Sequence, residues 1–108
     1  MTDGHIAVFM TAAGMDEAAS IAKKVVEERL AACCNIISGV RSIYVWKGIV
    51  HDSTEVMCVF KTRSSLFEPL RQRIKALHSY EVPEIVALEI KAGLAEYLLW
   101  IDASTGRS

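Results

Sequence analysis

Residues 78–84, within the segment HSYEVPEIV, bring together four side chains that can bind metals or exchange protons. They are the imidazole of His78, the phenol of Tyr80 and the carboxylates of Glu81 and Glu84. An imidazole beside carboxylates is a ligand set that divalent transition metals accept. His78 and Glu81 can meet across a turn, so they are the candidate ligands of a divalent transition metal.

The same segment also has a purely structural interpretation. His78 follows a helical pattern, and a positive charge near a helix C-terminus is favourable. Pro83 pushes Val82 toward extended geometry and so sets the entry to a strand. The segment is a junction in either case, and the residues alone leave open whether it is also a site.

Two aromatic residues and one lysine are further candidates. Tyr44 and Trp46 lie in the middle of a predicted hairpin. Aromatic side chains in such a place either pack on another subunit or form the wall of a pocket. Lys61 ends the next predicted strand, and it is either an exposed strand end or the charge of that pocket.

The three cysteines indicate packing rather than chemistry. Cys33 and Cys34 are adjacent, so in a strand their sulfurs point to opposite faces and do not readily coordinate the same metal ion. Buried free cysteine is common as a small hydrophobe, which predicts core packing for these two and for Cys58. An odd count with two neighbours is no disulfide framework, and it favours a reducing, cytoplasmic location.

Hydrophobic periodicity predicts seven elements in a single domain over residues 1–108. Gly39 is expected at a bulge or bend, and a capping box is expected from Ser65 to Glu68. The elements are a strand over 5–13, a helix from Asp16 to about Ala32, a hairpin whose strands meet at a turn at Asp52 and Ser53, a helix over about 65–77, a strand over 84–90 and a final helix over 94–104.

This order is that of an α+β protein with the ferredoxin-like βαββαβ arrangement and an added C-terminal helix. Two helices are expected on one face of a four-stranded antiparallel sheet. The third strand is apolar on both faces from Val56 to Phe60, and 52% of the chain is hydrophobic. That is more than one small core needs, so the sequence predicts a homo-oligomer whose subunits cover the second face.

Charge and motifs exclude several classes of function. The net charge is −1 and no long basic run occurs, which argues against nucleic-acid and anionic-membrane partners. No apolar run approaches the ~20 residues of a membrane span, and the N-terminus does not have the form of a signal peptide. No phosphate-binding loop, dinucleotide fingerprint or nucleophile grouping is present, so neither an enzyme nor an organic cofactor is indicated.

Taken together, four stretches resemble the CutA family of divalent-cation tolerance proteins. They are ERLAACCNI, SIYVWKGIVHDSTEVMCVFKT, HSYEVPEIV and YLLWI, in an order that runs from about Ile6 to Ile101. The resemblance implies a ferredoxin-like protomer in a tight homotrimer, a hairpin arm that engages neighbours, and a link to copper and other divalent cations. It also implies that the pocket near the clefts between subunits is formed by Tyr44, Trp46, Lys61, His78, Tyr80 and Glu84.

The chain departs from the family pattern at three positions. Met10 and Leu77 stand where some members proposed to bind copper have a cysteine and a second histidine, and Ser79 replaces a common proline. These changes leave His78 as the nitrogen ligand that the resemblance carries over. Two alternatives to metal binding stay open: a small-molecule-sensing trimer like the PII signalling proteins, and an interaction scaffold without a ligand.

Overall fold

A computed structural model describes residues 3–106 of the chain. A short 3₁₀ turn, Ser64–Leu66, leads into the second helix. The elements in chain order are β1 (His5–Ala12), α1 (Met15–Glu27), β2 (Cys33–Trp46), β3 (Ile49–Arg63), α2 (Phe67–Leu77), β4 (Ile85–Glu89) and α3 (Ala95–Ser104).

The four strands form one antiparallel sheet in the order β2-β3-β1-β4. This confirms the predicted ferredoxin-like α+β arrangement. In β1 the pairing sets Val8 opposite Phe60 and Met10 opposite Cys58, and all four side chains are fully buried. Because side chains alternate along a strand, these residues define the face of the sheet that α1 and α2 cover.

Helices α1 and α2 complete the main core. Leu70 and Ile74 of α2 are fully buried in the same cluster as Val25 of α1 and Phe60 of β3. Apolar residues recur at helical spacing on one side of each helix, while charged residues occupy the other. The core therefore lies between the two helices and one face of the sheet.

Helix α3 covers part of the opposite face. His5 Nε2 lies 2.8 Å from Asp102 Oδ1, and Arg63 Nε donates to Thr105 Oγ1 at 3.0 Å. His5 and Arg63 are paired on the face that α1 and α2 leave free, and Ile101 of α3 is fully buried beside them. The remainder of this face stays open, with Val86 and Leu88 exposed.

The hairpin turn is not where the sequence predicted it. The chain reverses at Lys47 and Gly48, whose φ angles are 52° and 78°, and Asp52 instead pairs with Ile43 inside the ladder. Positive φ at both central residues is the geometry of the type I′ turn, whose twist matches that of the strands it joins. The prediction of a turn at Asp52 and Ser53 is therefore wrong.

Beyond a bulge, the hairpin extends away from the body of the molecule. The register of β2 and β3 shifts between Ile37 and Val40, where Gly39 has a φ of 75°, which confirms the predicted bulge. We call residues 40–54 the arm. The radius of gyration is 14.4 Å, against about 13 Å for a compact chain of this length, and the longest extent is 45 Å.

Two predicted helix boundaries also differ from the structure. Helix α1 is capped by Gly14 and not by Asp16, and it ends at Glu27 because Arg29 has a φ of 62°. The capping box does not form: Ser65 binds the carboxylate of Asp3 through its amide and its hydroxyl. Within residues 3–106, no helix is long and apolar enough to cross a membrane.

Candidate functional site

An open cleft of about 600 Å³ lies between the base of the arm and the connection that leads into β4. We call it the arm cleft. Four of the six residues that the resemblance implies for the pocket line it, together with Glu81: they are Tyr44, Trp46, Tyr80 and Glu84. Its walls are formed by residues 41–44, Trp46, Glu55, Thr11 of β1, and Tyr80, Glu81, Val82 and Glu84 of the connection.

The inner wall of the arm cleft holds a buried carboxylate. Glu55 is only 6% exposed, and its Oε2 accepts a hydrogen bond of 2.7 Å from the Tyr80 hydroxyl. Burial, and next the hydrogen bond to Glu55, raise the pKa of the Tyr80 phenol well above its usual range. Tyr80 therefore remains a neutral hydrogen-bond donor to Glu55 throughout the ordinary pH range.

Tyr44 and Trp46 form the arm side of the arm cleft. The Tyr44 ring stacks on His51 with centroids 5.2 Å apart and planes 12° apart. Lys47 Nζ stands 5.6 Å from the centre of the Trp46 ring. Both aromatic rings are partly exposed, so in this chain they act as walls of the arm cleft.

The charges at the mouth of the arm cleft are unequal. Arg41 binds Asp52 with two hydrogen bonds, of 2.9 and 2.7 Å, and the Arg41 guanidinium lowers the pKa of Asp52. Glu81 Oε2 lies 4.0 Å from Lys47 Nζ, with both side chains largely exposed, so this pair contributes little. The lining thus contains three carboxylates and one guanidinium, and the guanidinium is already neutralised by Asp52.

His78 is placed behind this wall, and both of its ring nitrogens are engaged. Its side chain is fully buried; Nε2 donates to the Thr11 carbonyl oxygen at 2.7 Å, and Nδ1 accepts from the Tyr80 amide at 3.0 Å. One donor and one acceptor is the pattern of a neutral imidazole. Its ring also lies 4.6 Å from the Tyr80 ring. His78 therefore positions Tyr80.

The two predicted metal ligands do not form a site by themselves. Glu81 is exposed at the mouth of the arm cleft, whereas the lone pair of His78 Nδ1 is used by the Tyr80 amide. Among residues 3–106 no group of three His, Cys, Asp or Glu side chains is arranged to hold a metal ion. In this conformation the described residues offer oxygen ligands at the arm cleft and no free histidine nitrogen.

Lys61 lies apart from the other predicted pocket residues. It is paired with Cys33 and Ala7 on the free face of the sheet, and its Nζ donates to the side-chain oxygen of Asn35. Six residues of extended strand separate it from Glu55, a distance of about 20 Å. Within one chain Lys61 therefore does not reach the arm cleft, and its place in a pocket between subunits stays a prediction.

The cysteines divide between the two faces, as their adjacency predicted. Cys33 pairs with Lys61 on the free face and Cys34 with Phe60 on the helix face. Only Cys58 is fully buried; Cys34 is half-buried against the core, and Cys33 is half-buried with its Sγ 3.7 Å from the Tyr97 hydroxyl. The prediction of core packing holds for Cys58 and is wrong for Cys33.

Thiol labelling should follow this order of burial. We expect Cys33 to react first with a thiol reagent in the native protein, and Cys58 only on unfolding. Cys34 should be slow, because a hydrogen bond with Cys58 and burial raise the pKa of its thiol far above the usual value. Mass spectrometry of timed samples measures the rates, and Cys33→Ser should remove the fast phase. Equal native rates for Cys33 and Cys58 would contradict the structure.

Sequence reasoning missed Glu55 and Arg41 as members of the arm cleft. Glu55 stands directly before the apolar run of β3, a position that is typical of a solvated strand end. Nothing in the sequence marks it as buried, because its burial depends on Tyr80, 25 residues later in the chain. The one available signal was a carboxylate inside a long predicted hairpin.

Comparison with known proteins places these features in a family. A family model described as CutA1 divalent ion tolerance protein matches residues 6–104. The divalent-cation tolerance protein CutA of Thermus thermophilus is 50% identical over 99 residues, which cover 92% of this chain and 96% of that protein. The chloroplastic protein CutA of Arabidopsis thaliana is 42% identical over 93% of this chain, which spans 55% of the plant protein.

Solved structures agree with the sequence comparison. The structure of the divalent cation tolerance protein from Thermus thermophilus superposes with a TM-score of 0.92 at 48% identity, covering 94% of this chain and 99% of that one. CutA1 from Oryza sativa gives a TM-score of 0.94 at 40% identity, covering 99% of this chain and 98% of that one. The predicted resemblance is confirmed, and the chain belongs to the CutA family of divalent-cation tolerance proteins.

Proposed function

We propose that this protein is a non-enzymatic homotrimer that binds Cu²⁺ or another divalent cation weakly and serves divalent-cation tolerance. The observation that carries the proposal is the placement of Glu81 and Glu84 on one wall of the arm cleft, in a chain of a divalent-cation tolerance family. Carboxylate oxygens accept divalent ions, and a small ligand set gives modest affinity.

Assembly would complete the coordination sphere. Residues 3–106 hold no group of three ligands, so additional donors would come from a neighbouring subunit. The apolar side chains of the arm, with Val86 and Leu88 on the free sheet face, are exposed in the single chain. Such a surface is typical of an interface between subunits. The trimer would thus place the arm of one chain against the sheet of another.

His78 remains the proposed nitrogen ligand. To bind a metal through Nδ1, the ring would have to release the amide of Tyr80, which it accepts at 3.0 Å. An ion bound by Glu81 would offer the imidazole lone pair a stronger partner than the amide does. The proposal therefore includes a local rearrangement of the connection that carries Tyr80.

We place this function in a reducing compartment such as the cytoplasm. The support is that all three cysteines are free thiols: Cys58 is buried in the core, and Cys33 and Cys34 are half-buried. Adjacent half-buried thiols persist most readily where glutathione and thioredoxin keep them reduced.

Isothermal titration calorimetry of the intact protein with Cu²⁺ and with Zn²⁺ tests the metal proposal. We expect the double variant Glu81→Gln with Glu84→Gln to bind Cu²⁺ at least about tenfold more weakly, because it keeps the shape of the cleft and loses both charges. Glu89→Gln, which alters an exposed carboxylate of β4 outside the arm cleft, is the matched control and should bind as before. An unchanged isotherm for the double variant would remove the arm cleft as the metal site.

The role of His78 needs a separate comparison. If Nδ1 binds the ion, His78→Ala should weaken Cu²⁺ binding further than the loss of Glu81 alone does. If His78 only positions Tyr80, His78→Ala should weaken Cu²⁺ binding no more than the loss of Glu81 does.

The same titration with ATP tests a PII-like function. The two-residue turn at Lys47 and Gly48 already argues against that function.

A further inference from the structure

Three sulfur-bearing side chains lie side by side across the sheet, on the face that α1 and α2 cover. Met10 of β1 is paired directly with Cys58 of β3. Cys34 of β2 lies one diagonal step from Cys58, because Cys34 is paired with Phe60 and Ile36 with Cys58. Side chains at such positions on one face of a sheet are neighbours. We call Met10, Cys34 and Cys58 the sulfur cluster.

The two thiols of the sulfur cluster are in contact. A hydrogen bond between them raises the pKa of the Cys34 thiol and lowers the pKa of the Cys58 thiol. Cys34 is therefore the donor and Cys58 the acceptor, because a hydrogen bond to a charged group favours the charged form. The sulfur of Cys58 is thus the one that more readily becomes a thiolate, which is the form that binds metals.

The sulfur cluster lies inside the protomer. Met10 and Cys58 are fully buried in the core between the sheet and the two helices, and Cys34 is half-buried against that core. The surfaces proposed above for subunit contacts are the arm and the opposite face of the sheet. The contacts of the sulfur cluster are made within one chain, and a neighbouring subunit on that opposite face would leave them in place.

Two thiols and a thioether form a soft set of ligands. Thiolate and thioether sulfurs select Cu⁺, whereas magnesium, calcium and manganese ions prefer oxygen. Methionine adds a polarisable sulfur on a flexible chain, which can adjust to its neighbours. Within residues 3–106 no group of three His, Cys, Asp or Glu side chains occurs, so the third ligand that the two cysteines have is the thioether of Met10.

The balance of charge in the core also favours a monovalent ion. Burying an unpaired charge in an apolar core is costly. When Cu⁺ takes the place of the thiol proton of Cys58, that proton leaves to water, and the ion and the thiolate are neutral together. The Met10 thioether and the Cys34 thiol then add sulfur ligands without adding charge. A divalent ion in the same place would leave one positive charge uncompensated.

We propose that the sulfur cluster binds one Cu⁺ ion per chain, with the Cys58 thiolate, the Met10 thioether and the Cys34 sulfur as its ligands. This site is separate from the divalent-cation site at the arm cleft, and it does not depend on that proposal. Buried sulfur residues also pack cores without binding any ion. The experiment therefore has to distinguish a metal site from core packing alone.

Competition for Cu⁺ tests the site on the intact, reduced protein, without oxygen and with ascorbate as the reductant. Bicinchoninate forms a coloured complex with Cu⁺, so the loss of its colour measures the transfer of Cu⁺ to the protein. The absorbance is followed until it is constant, and a second sample is refolded from urea with Cu⁺ present, so slow entry into the core is not mistaken for an absent site. We expect one Cu⁺ per chain, with only sulfur neighbours in X-ray absorption at the copper edge.

Variants then locate the ion. Cys58→Val, Cys34→Val and Met10→Leu each remove one sulfur and keep an apolar side chain of similar volume, which cores tolerate. Each should weaken Cu⁺ binding at least about tenfold. Cys33→Ser and Met57→Leu are the matched controls, because these residues alternate with the sulfur cluster along β2 and β3 and belong to the opposite face. Both should bind as before, and circular dichroism establishes that each variant is folded.

Three results would overturn the proposal. They are no transfer of Cu⁺ to either the native or the refolded protein, oxygen or nitrogen neighbours at the copper edge, and an unchanged affinity in Cys58→Val. Loss of binding in Cys33→Ser would equally overturn it, because the ion would then lie on the opposite face. The double variant Glu81→Gln with Glu84→Gln should bind Cu⁺ as the wild type does. Failure of the sulfur site therefore leaves the divalent-cation proposal standing.

Discussion

A variant carrying Val45→Lys and Val50→Lys is expected to be a monomer, because the substitutions would disrupt the proposed trimer. The two valines pair with each other near the tip of the arm, and they are 66% and 68% exposed in the single chain. If the arm packs on a neighbour, these side chains are buried in the assembly. Two ammonium groups would then have to lose water without partners, which outweighs the apolar contact that they replace.

The measurement is native mass or sedimentation equilibrium at micromolar concentration, and the expected mass falls to one third. Ser20→Lys with Gln72→Lys adds the same charge at exposed positions on α1 and α2, and it should remain a trimer. A doubly substituted arm that still forms trimers would show that the arm lies outside the interface. A monomeric wild-type protein would remove the homotrimer from the proposed function.

The order of elements could be read from the sequence because each element has a clear hydrophobic period. The apolar run of β3 from Val56 to Phe60 and the stripe of α2 were both predicted correctly, since they rest on local patterns. The hairpin turn was predicted at Asp52 and Ser53 because these residues favour turns. The turn lies at Lys47 and Gly48 because β2 and β3 pair along their whole length. The local composition does not reveal that pairing.

The candidate site was predictable only in part, for a related reason. Tyr44, Trp46, Tyr80 and Glu84 meet because the arm and the connection before β4 fold to one side of the sheet. Lys61 was assigned to the same place, yet it sits six residues along β3 from Glu55, near Asn35. Two residues of one strand can line a common cleft only if they lie close together along that strand. A family resemblance names pocket residues, but it does not show which of them meet within a single chain.

His78 shows a different limit of sequence reasoning. Its type and its neighbours fit a structural histidine, and they also fit a metal ligand. The structure distinguishes the two roles because it shows what each ring nitrogen touches: the Thr11 carbonyl on β1 and the amide of Tyr80. The first of these partners is 67 residues away in the chain, so no local pattern could reveal it.

Replacement of His78 by alanine is therefore expected to destabilise the protein by about 3 kcal/mol. The change leaves the buried Thr11 carbonyl without the 2.7 Å bond from Nε2, and the Tyr80 amide without its acceptor. Each buried polar group that loses its partner costs about 1–3 kcal/mol. The ring that packs 4.6 Å from Tyr80 is lost as well, which loosens the wall of the arm cleft. His78 therefore contributes more to the stability of the protein than its position at the end of a helix suggests.

Urea unfolding at one fixed protein concentration measures this effect, because the stability of an oligomer varies with concentration. His78→Asn is the informative partner variant: its side-chain oxygen can still accept from the Tyr80 amide, so it should recover part of the loss. His51→Ala, on the arm, should cost less than about 1 kcal/mol, since its ring makes one stacking contact with Tyr44. If His78→Ala unfolds at the same urea concentration as the wild type, the two hydrogen bonds contribute nothing measurable. The imidazole would then be free to turn toward the arm cleft as a metal ligand.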